Sequence, residues 1–281
     1  MLKQSSILNV FNDLAAKAEA NAQIAEGDYY GEDGLLYCHK CNTKKQTRVT
    51  LFGTERTVHC ICRCRAEEVE AESRAEALRK TVKENRKASM MTSEMEKWTF
   101  AADDRMNERV SGVMQNYVDN FQKMIDLKKG LLLWGSTGTG KSFHAGCIAN
   151  ALLDKGYPVK MTNFSEITNR MQDKSGDKQG FIDRLVHPAL LIIDDLGIER
   201  ETEYMQEQVY NIINSRYNTG LPFIITTNIR LDVIKSANDI WKRRIYERIL
   251  ERCVPVEVAG ANRRYKNINS NYDEVTSLLG L

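Results

Sequence analysis

The chain has 281 residues, long enough for one large or two smaller domains, with 42% hydrophobic and 28% charged residues. That balance excludes a collagenous, low-complexity or wholly disordered chain, and no stretch reaches the roughly 20 uninterrupted apolar residues of a membrane span. The formal net charge of +2 announces no overall basic field, so contact with nucleic acid has to come from a local patch.

At the N-terminus, Ile7, Leu8, Phe11, Leu14 and Ala15 recur at helical spacing and predict a short amphipathic helix within residues 1 to about 30. The opening MLKQSSILNVFNDL lacks the pattern of a secretory signal, so a cytoplasmic location is expected. Glycines at 27, 31 and 34 break the helix, and a cysteine-rich segment comes next. Cys38 and Cys41 form a C-x-x-C knuckle, and after eighteen intervening residues Cys60, Cys62 and Cys64 form C-x-C-x-C. In a reducing compartment such crowding indicates a metal site rather than disulfides. Four thiolates select Zn²⁺ first and an iron–sulfur cluster second. The expected ligands are Cys38, Cys41, Cys62 and Cys64, with Cys60 or a histidine, His39 or His59, as substitute. Four protein ligands leave no open position, so the role is structural. Basic residues flank the knuckles (Lys44, Lys45, Arg48, Arg56, Arg63, Arg65) and suit either a protein partner or nucleic acid. Cys147 and Cys253 sit among apolar residues and read as buried core thiols.

The run RAEEVEAESRAEALRKTVKENRKAS favours helix, with a thin apolar stripe of Ala71, Ala75, Leu78 and Val82. It reads as a solvated linker, with a partner-binding helix as the alternative. The expected organisation is therefore an N-terminal module over 1–64, a charged linker over 65–90 and a large domain over 91–281. From Gly130 onward, apolar runs of strand length alternate with helical patterns: GLLLWG, YPVKMT, ALLIIDD, PFIITTN and VPVEV. Apolar strands separated by helices indicate an α/β fold with a parallel sheet covered on both faces.

Gly135 to Ser142, GSTGTGKS, fits G-x-x-x-x-G-K-[ST] between an apolar strand and a helix. Gly135, Gly138 and Gly140 let the backbone wrap phosphates, with Ser136, Thr137 and Thr139 completing the loop and Phe143 just beyond it. Lys141 should reach the β- and γ-phosphates of ATP, and the Ser142 hydroxyl should ligate Mg²⁺. ALLIIDD ends in two acids at the sheet edge where ligands sit. Asp194 is expected to hold Mg²⁺ through water and Asp195 to polarise the attacking water, with Glu199 as a rival base. Asn228, at the tip of PFIITTN, should orient that water and sense the γ-phosphate.

GSTGTGKS, LLIIDDLG, ITTN, RRIYERI and GANRRYK, in this order, resemble the AAA+ ATPases of the DnaC/DnaI helicase-loader type, with the IstB transposition ATPases as close relatives. The resemblance covers roughly residues 91 to 268. It implies a five-stranded sheet of order 5-1-4-3-2 and self-association through the AAA+ domain. Arg248 is then the arginine finger reaching a neighbouring subunit, with Arg244 its companion, and Arg264 the second sensor, with Arg263 the alternative. The chain ends soon afterwards, so a helical lid is not expected. A cysteine-rich N-terminal module also resembles loaders whose N-terminal region grips a hexameric DnaB-type replicative helicase. The implied function is an ATP-dependent factor that places such a helicase on single-stranded DNA. The alternative is an IstB-like ATPase that coats duplex DNA and regulates transposition. A small-molecule P-loop kinase is disfavoured by the paired aspartates, the strand-tip asparagine and the arginine-rich helix.

Overall fold

The computed structural model describes residues 24–51, 53–172, 177–197, 203–263, 272 and 275–280. The helix expected near the N-terminus, Glu199 and Arg264 lie outside them. The chain divides into two compact units, Met1–Arg79 and Lys80–Leu281.

The first unit holds two small antiparallel pairs. Strand β1 (Tyr29–Tyr30) pairs with β2 (Leu36–Tyr37), and Tyr29 lies opposite Tyr37 with the rings stacked at 5.8 Å. Strands β3 (Gln46–Leu51) and β4 (Thr54–His59) form a hairpin in which Gln46 faces His59 and Leu51 faces Thr54. Among the described residues of this unit the buried apolar ones are few: Leu35, Leu36, Cys38 and Cys62. So small a core needs a cross-link to hold it.

Helix α1 (Arg63–Ala88) begins at the last knuckle. Ala71, Ala75 and Leu78 are exposed along it, so the thin stripe stays in solvent over most of the length. Its final turn belongs to the second unit and is tied down by polar contacts. Asn85 donates to the Gly156 carbonyl at 3.0 Å, Arg86 donates to Asn150 Oδ1 at 2.9 Å, and the Met161 N–H donates to the Ser89 carbonyl at 2.9 Å.

The second unit is a three-layer α/β sandwich. In chain order come a 3₁₀ turn (Met95–Lys97), α2 (Glu108–Asp119), α3 (Phe121–Asp126), β5 (Gly130–Trp134), α4 (Lys141–Asp154), β6 (Val159–Asn163), α5 (Phe164–Gln172), α6 (Lys178–Val186) and β7 (Leu190–Leu196). After these come α7 (Glu203–Thr219), β8 (Phe223–Thr227), α8 (Leu231–Lys235), α9 (Ile240–Arg252) and β9 (Cys253–Glu257). The five strands are all parallel in the order β6-β7-β8-β5-β9. Numbered from the first strand of the domain, this is 5-1-4-3-2, as expected. The segment after β6 forms two helices rather than one.

Alternation along each strand feeds two separate cores. Leu132, Leu191, Ile193, Phe223 and Ile225 pack with Ile167, Val209, Ile213 and Ile249 on one face. Leu131, Leu133, Leu190, Ile192 and Ile224 pack with Met114, Val118, Ile148 and Leu152 on the other. Each such aliphatic side chain contributes about 1.5–3 kcal/mol on burial, which explains why both faces read as continuous apolar runs.

Arg216 on α7 is fully buried and donates to the carbonyls of Val186, Pro188, Ala189 and Pro222, so one guanidinium closes the loops that feed β7 and β8. At the sheet border, β9 pairs with β5 alone and carries Pro255 opposite Leu132.

Candidate nucleotide and metal sites

Strand β5 delivers the chain to the loop Gly135–Gly140, and α4 leaves it at Lys141. Gly135 takes φ +147°, and a Cβ there would stand 2.5 Å from the Val258 carbonyl oxygen, so only glycine fits. Gly140, at φ +99°, sets the left-handed turn from which α4 starts. The open N–H groups of that helix end face the cleft, a ready anion site. Lys141 is nearly buried and its ammonium donates to the carbonyls of Gly135 at 3.0 Å and Ser136 at 2.7 Å, which holds it across the loop. Thr139 Oγ1 donates to the Ser136 carbonyl at 3.0 Å and tightens the same turn.

The carboxyl ends of β7 and β8 meet this loop. Their register shifts between Ile193 and Leu196, leaving Asp194 and Asp195 on a bulge, with Asp195 at φ +60°. A non-glycine residue there costs on the order of 1 kcal/mol, which the surrounding hydrogen bonds offset. The Thr226 hydroxyl donates to Asp194 Oδ1 at 2.5 Å and accepts the Asp195 N–H at 2.9 Å. Ser142 also hydrogen-bonds Asp194, which joins the phosphate loop to the strand. Burial raises the Asp194 carboxyl above its ordinary range, while the hydroxyls of Thr226 and Ser142 oppose that rise. An oxygen-only pair, Ser142 and Asp194, in hydrogen-bonded contact beside the loop fits a small hard cation such as Mg²⁺.

The cleft above these groups measures about 720 Å³. Its lining includes Thr137, Gly138, Lys141, Asp195 and Asn228 together with the apolar side chains of Trp98, Met106 and Phe143. Arg263 also reaches it: its N–H donates to the Gly138 carbonyl at 2.9 Å and its guanidinium pairs with Asp104 at 3.1 Å. Arg248 does not line this cleft. It lies on α9, where Nε donates to Asn214 at 2.9 Å, Nη2 donates to Tyr210 Oη at 3.0 Å, and the guanidinium covers the Tyr210 ring at 4.9 Å. Arg244, one turn earlier, is exposed. Sequence reasoning overlooked Thr226, Asp104 and Trp98. The pairing of strand tips that recruits Thr226 is a tertiary fact with no local signature.

In the first unit, the sulfurs of Cys38, Cys41, Cys62 and Cys64 all lie within 4.8 Å of one another, with Cys38–Cys64 at 3.7 Å and Cys62–Cys64 at 3.4 Å. A tetrahedral site with Zn–S bonds of about 2.3 Å has sulfur–sulfur edges of about 3.8 Å, so the cluster fits such an ion. The Thr43 hydroxyl, 3.0 Å from Cys41 Sγ, lowers the pKa of that thiol, while the neighbouring sulfurs of Cys62, Cys38 and Cys41 push that of Cys64 up. Cys60 instead turns its thiol to the Lys44 carbonyl at 3.5 Å. His39 is oriented by Asp28, whose buried carboxylate also binds Lys45. Among the described residues, no helix is long and apolar enough to cross a membrane.

A parallel five-stranded sheet with a phosphate loop after its first strand, paired acids on the third and a polar tip on the fourth defines an AAA+ ATP-binding domain. Residues 65–271 match the family of IstB-like ATP-binding proteins, and the chain belongs to that family. It is 29% identical over 151 residues to the replicative helicase loader DnaI of Bacillus subtilis (strain 168), covering 49% of this chain and 48% of that protein. Over 122 residues it is 28% identical to the replicative helicase loader DnaC of Escherichia coli (strain K12), covering 42% and 49% respectively. The chain thus spans about half the length of these curated relatives. A crystal structure of DnaI has the same fold, with a TM-score of 0.51 at 24% identity over 62% of this chain and 95% of that one.

Proposed function

We propose that this chain is a helicase loader: an ATP-switched assembly factor that places a hexameric DnaB-type replicative helicase on single-stranded DNA in the cytoplasm. The observation that carries the reading is a nucleotide cleft of loader type in a chain that also holds a four-cysteine cluster. Residues 1–64 would form the zinc-binding, helicase-gripping module, 65–90 the linker and 91–281 the ATPase, which associates with further copies of itself.

The backbone N–H groups of Gly135 to Gly140 and the Lys141 ammonium bind the phosphates of ATP. Ser142 and Asp194 hold Mg²⁺, which when bound neutralises charge on the phosphate oxygens. Asp195, or Glu199, polarises the attacking water, and Asn228 orients it. Arg248 serves the γ-phosphate of a neighbouring subunit, and Arg263 or Arg264 contacts phosphate from the chain's own C-terminal end. Cys38, Cys41, Cys62 and Cys64 hold Zn²⁺, which cross-links the two knuckles of a module with little core.

The test is co-purification of the intact chain with a hexameric replicative helicase, with and without ATP, and then transfer of the helicase to single-stranded DNA. Nucleotide-dependent capture and transfer support loading. ATP-dependent coating of duplex DNA with stimulation of a transposase, and no helicase capture, would replace it with the IstB-like reading, with which the family description is also compatible.

A further inference from the structure

We infer that Thr226 is a positioning residue for the metal-facing carboxylate of the nucleotide site. Its side chain is fully buried, and its single hydroxyl stands between the two acids of the bulge. The Asp195 N–H can only donate and gives its proton to the Thr226 oxygen, so the single hydroxyl proton is directed at Asp194 Oδ1. Both bonds are therefore directional, and together they fix two things at once: the rotation of the Asp194 carboxylate, and the left-handed backbone at Asp195 that turns its side chain into the cleft.

Valine fills nearly the same volume but supplies neither bond. Serine supplies both and lacks only the methyl group. Thr227, the next residue, cannot substitute, because its hydroxyl donates to the Leu196 carbonyl at 2.7 Å and accepts from the Ile229 N–H. Thr226 thus orients the groups that hold the cation without itself touching it. This rests on the reading of Asp194 as the carboxylate that faces Mg²⁺.

The experiment titrates MgCl₂ into the intact chain with a fluorescent ADP analogue, alongside the same binding measured in EDTA and alongside ATP turnover. Thr226→Val is expected to leave affinity in EDTA unchanged, to raise the Mg²⁺ concentration at half-effect roughly tenfold or more, and to slow turnover. Thr226→Ser should restore most of both. Thr168→Val serves as a buried-hydroxyl control, since that hydroxyl donates only to the Phe164 carbonyl on α5, and its Mg²⁺ response should match wild type. Where Thr226→Val fails to fold, Thr226→Ala takes its place in the same titration. An unchanged Mg²⁺ response in these variants, a serine variant as impaired as valine, or an equal loss of affinity in EDTA overturns the proposal. Asp194→Asn separates the two layers: if it keeps the wild-type Mg²⁺ response, the reading of Asp194 itself fails.

Discussion

Lys141 combines burial with a charge. Its ammonium is held by two loop carbonyls, so it contributes little to apolar packing while standing ready for phosphate. Lys141→Ala is expected to lower nucleotide affinity and turnover by roughly a factor of ten or more, the scale of one lost charge-assisted contact, with the circular dichroism spectrum unchanged. Isothermal titration with an ADP or ATP analogue checks this; wild-type affinity in the folded variant would remove the phosphate assignment. His144, three residues on, is a different kind of buried polar group. Neither ring nitrogen has a hydrogen-bond partner among the described residues, and burial lowers its pKa, with Asp103, Arg263 and Asp104 the nearest charges. The unfolded chain takes up a proton below about pH 6.5 while the folded one resists it, so stability is full above that pH and falls as pH drops toward the depressed folded value. Urea denaturation between about pH 8 and 5 should show that loss, limited to about 1.4 kcal/mol per pH unit. His144→Leu should flatten the profile; an identical slope in the variant would assign the titration to another group.

At the scale of elements, the two units differ in how much of them can be read from their residues. Strands β5 to β8 are legible because each is buried on both faces and therefore written as an apolar run between helices. The phosphate loop is legible because its glycines answer a backbone requirement. By contrast β4 exposes most of its length and β3 is at best half-buried, and they read TERTVH and QTRVTL, with no apolar run to mark them. The bulge at Asp194 and Asp195 is equally silent, since a φ of +60° at an aspartate leaves no trace in composition. Arg216 reads as a surface residue of α7 and is in fact sealed in the core, because its partners are backbone carbonyls from two distant places in the chain, residues 186–189 and Pro222. What organises the first unit is legible only as cysteine spacing. Cys38→Ser with Cys41→Ser should abolish about one equivalent of Zn²⁺ per chain and unfold residues near 35 to 65, with the α/β unit retained. Elemental analysis and limited proteolysis read both effects. Metal-free protein purified without chelator, with an intact hairpin, would contradict the site.

For the whole molecule, the geometry separates the nucleotide from Arg248: the cleft and α9 belong to one chain, yet the guanidinium is occupied by Asn214 and Tyr210 outside that cleft. Under the proposed function, an arginine so placed would act as a finger on another subunit. Arg248→Ala should keep ATP binding and lose roughly 10³-fold or more in hydrolysis. Mixing it with Lys141→Ala chains should recover part of the activity, because an interface in which the Arg248→Ala chain supplies the loop and the Lys141→Ala chain supplies the finger has both parts intact. Turnover at the wild-type rate by Arg248→Ala alone would transfer the role to Arg244. Pro255 bears on the proposed self-association. A parallel sheet with an unprotected border strand invites another chain to dock by backbone pairing and, from there, open-ended fibre growth. Proline has no N–H to offer an incoming strand, and on a border strand that missing donor faces away from β5. Assembly by adding strands at this border is therefore interrupted at its middle residue. The self-association proposed above would then not run through β9, and a contact made instead by side chains could form and dissolve with the bound nucleotide, whereas a sheet shared across this border would be close to permanent.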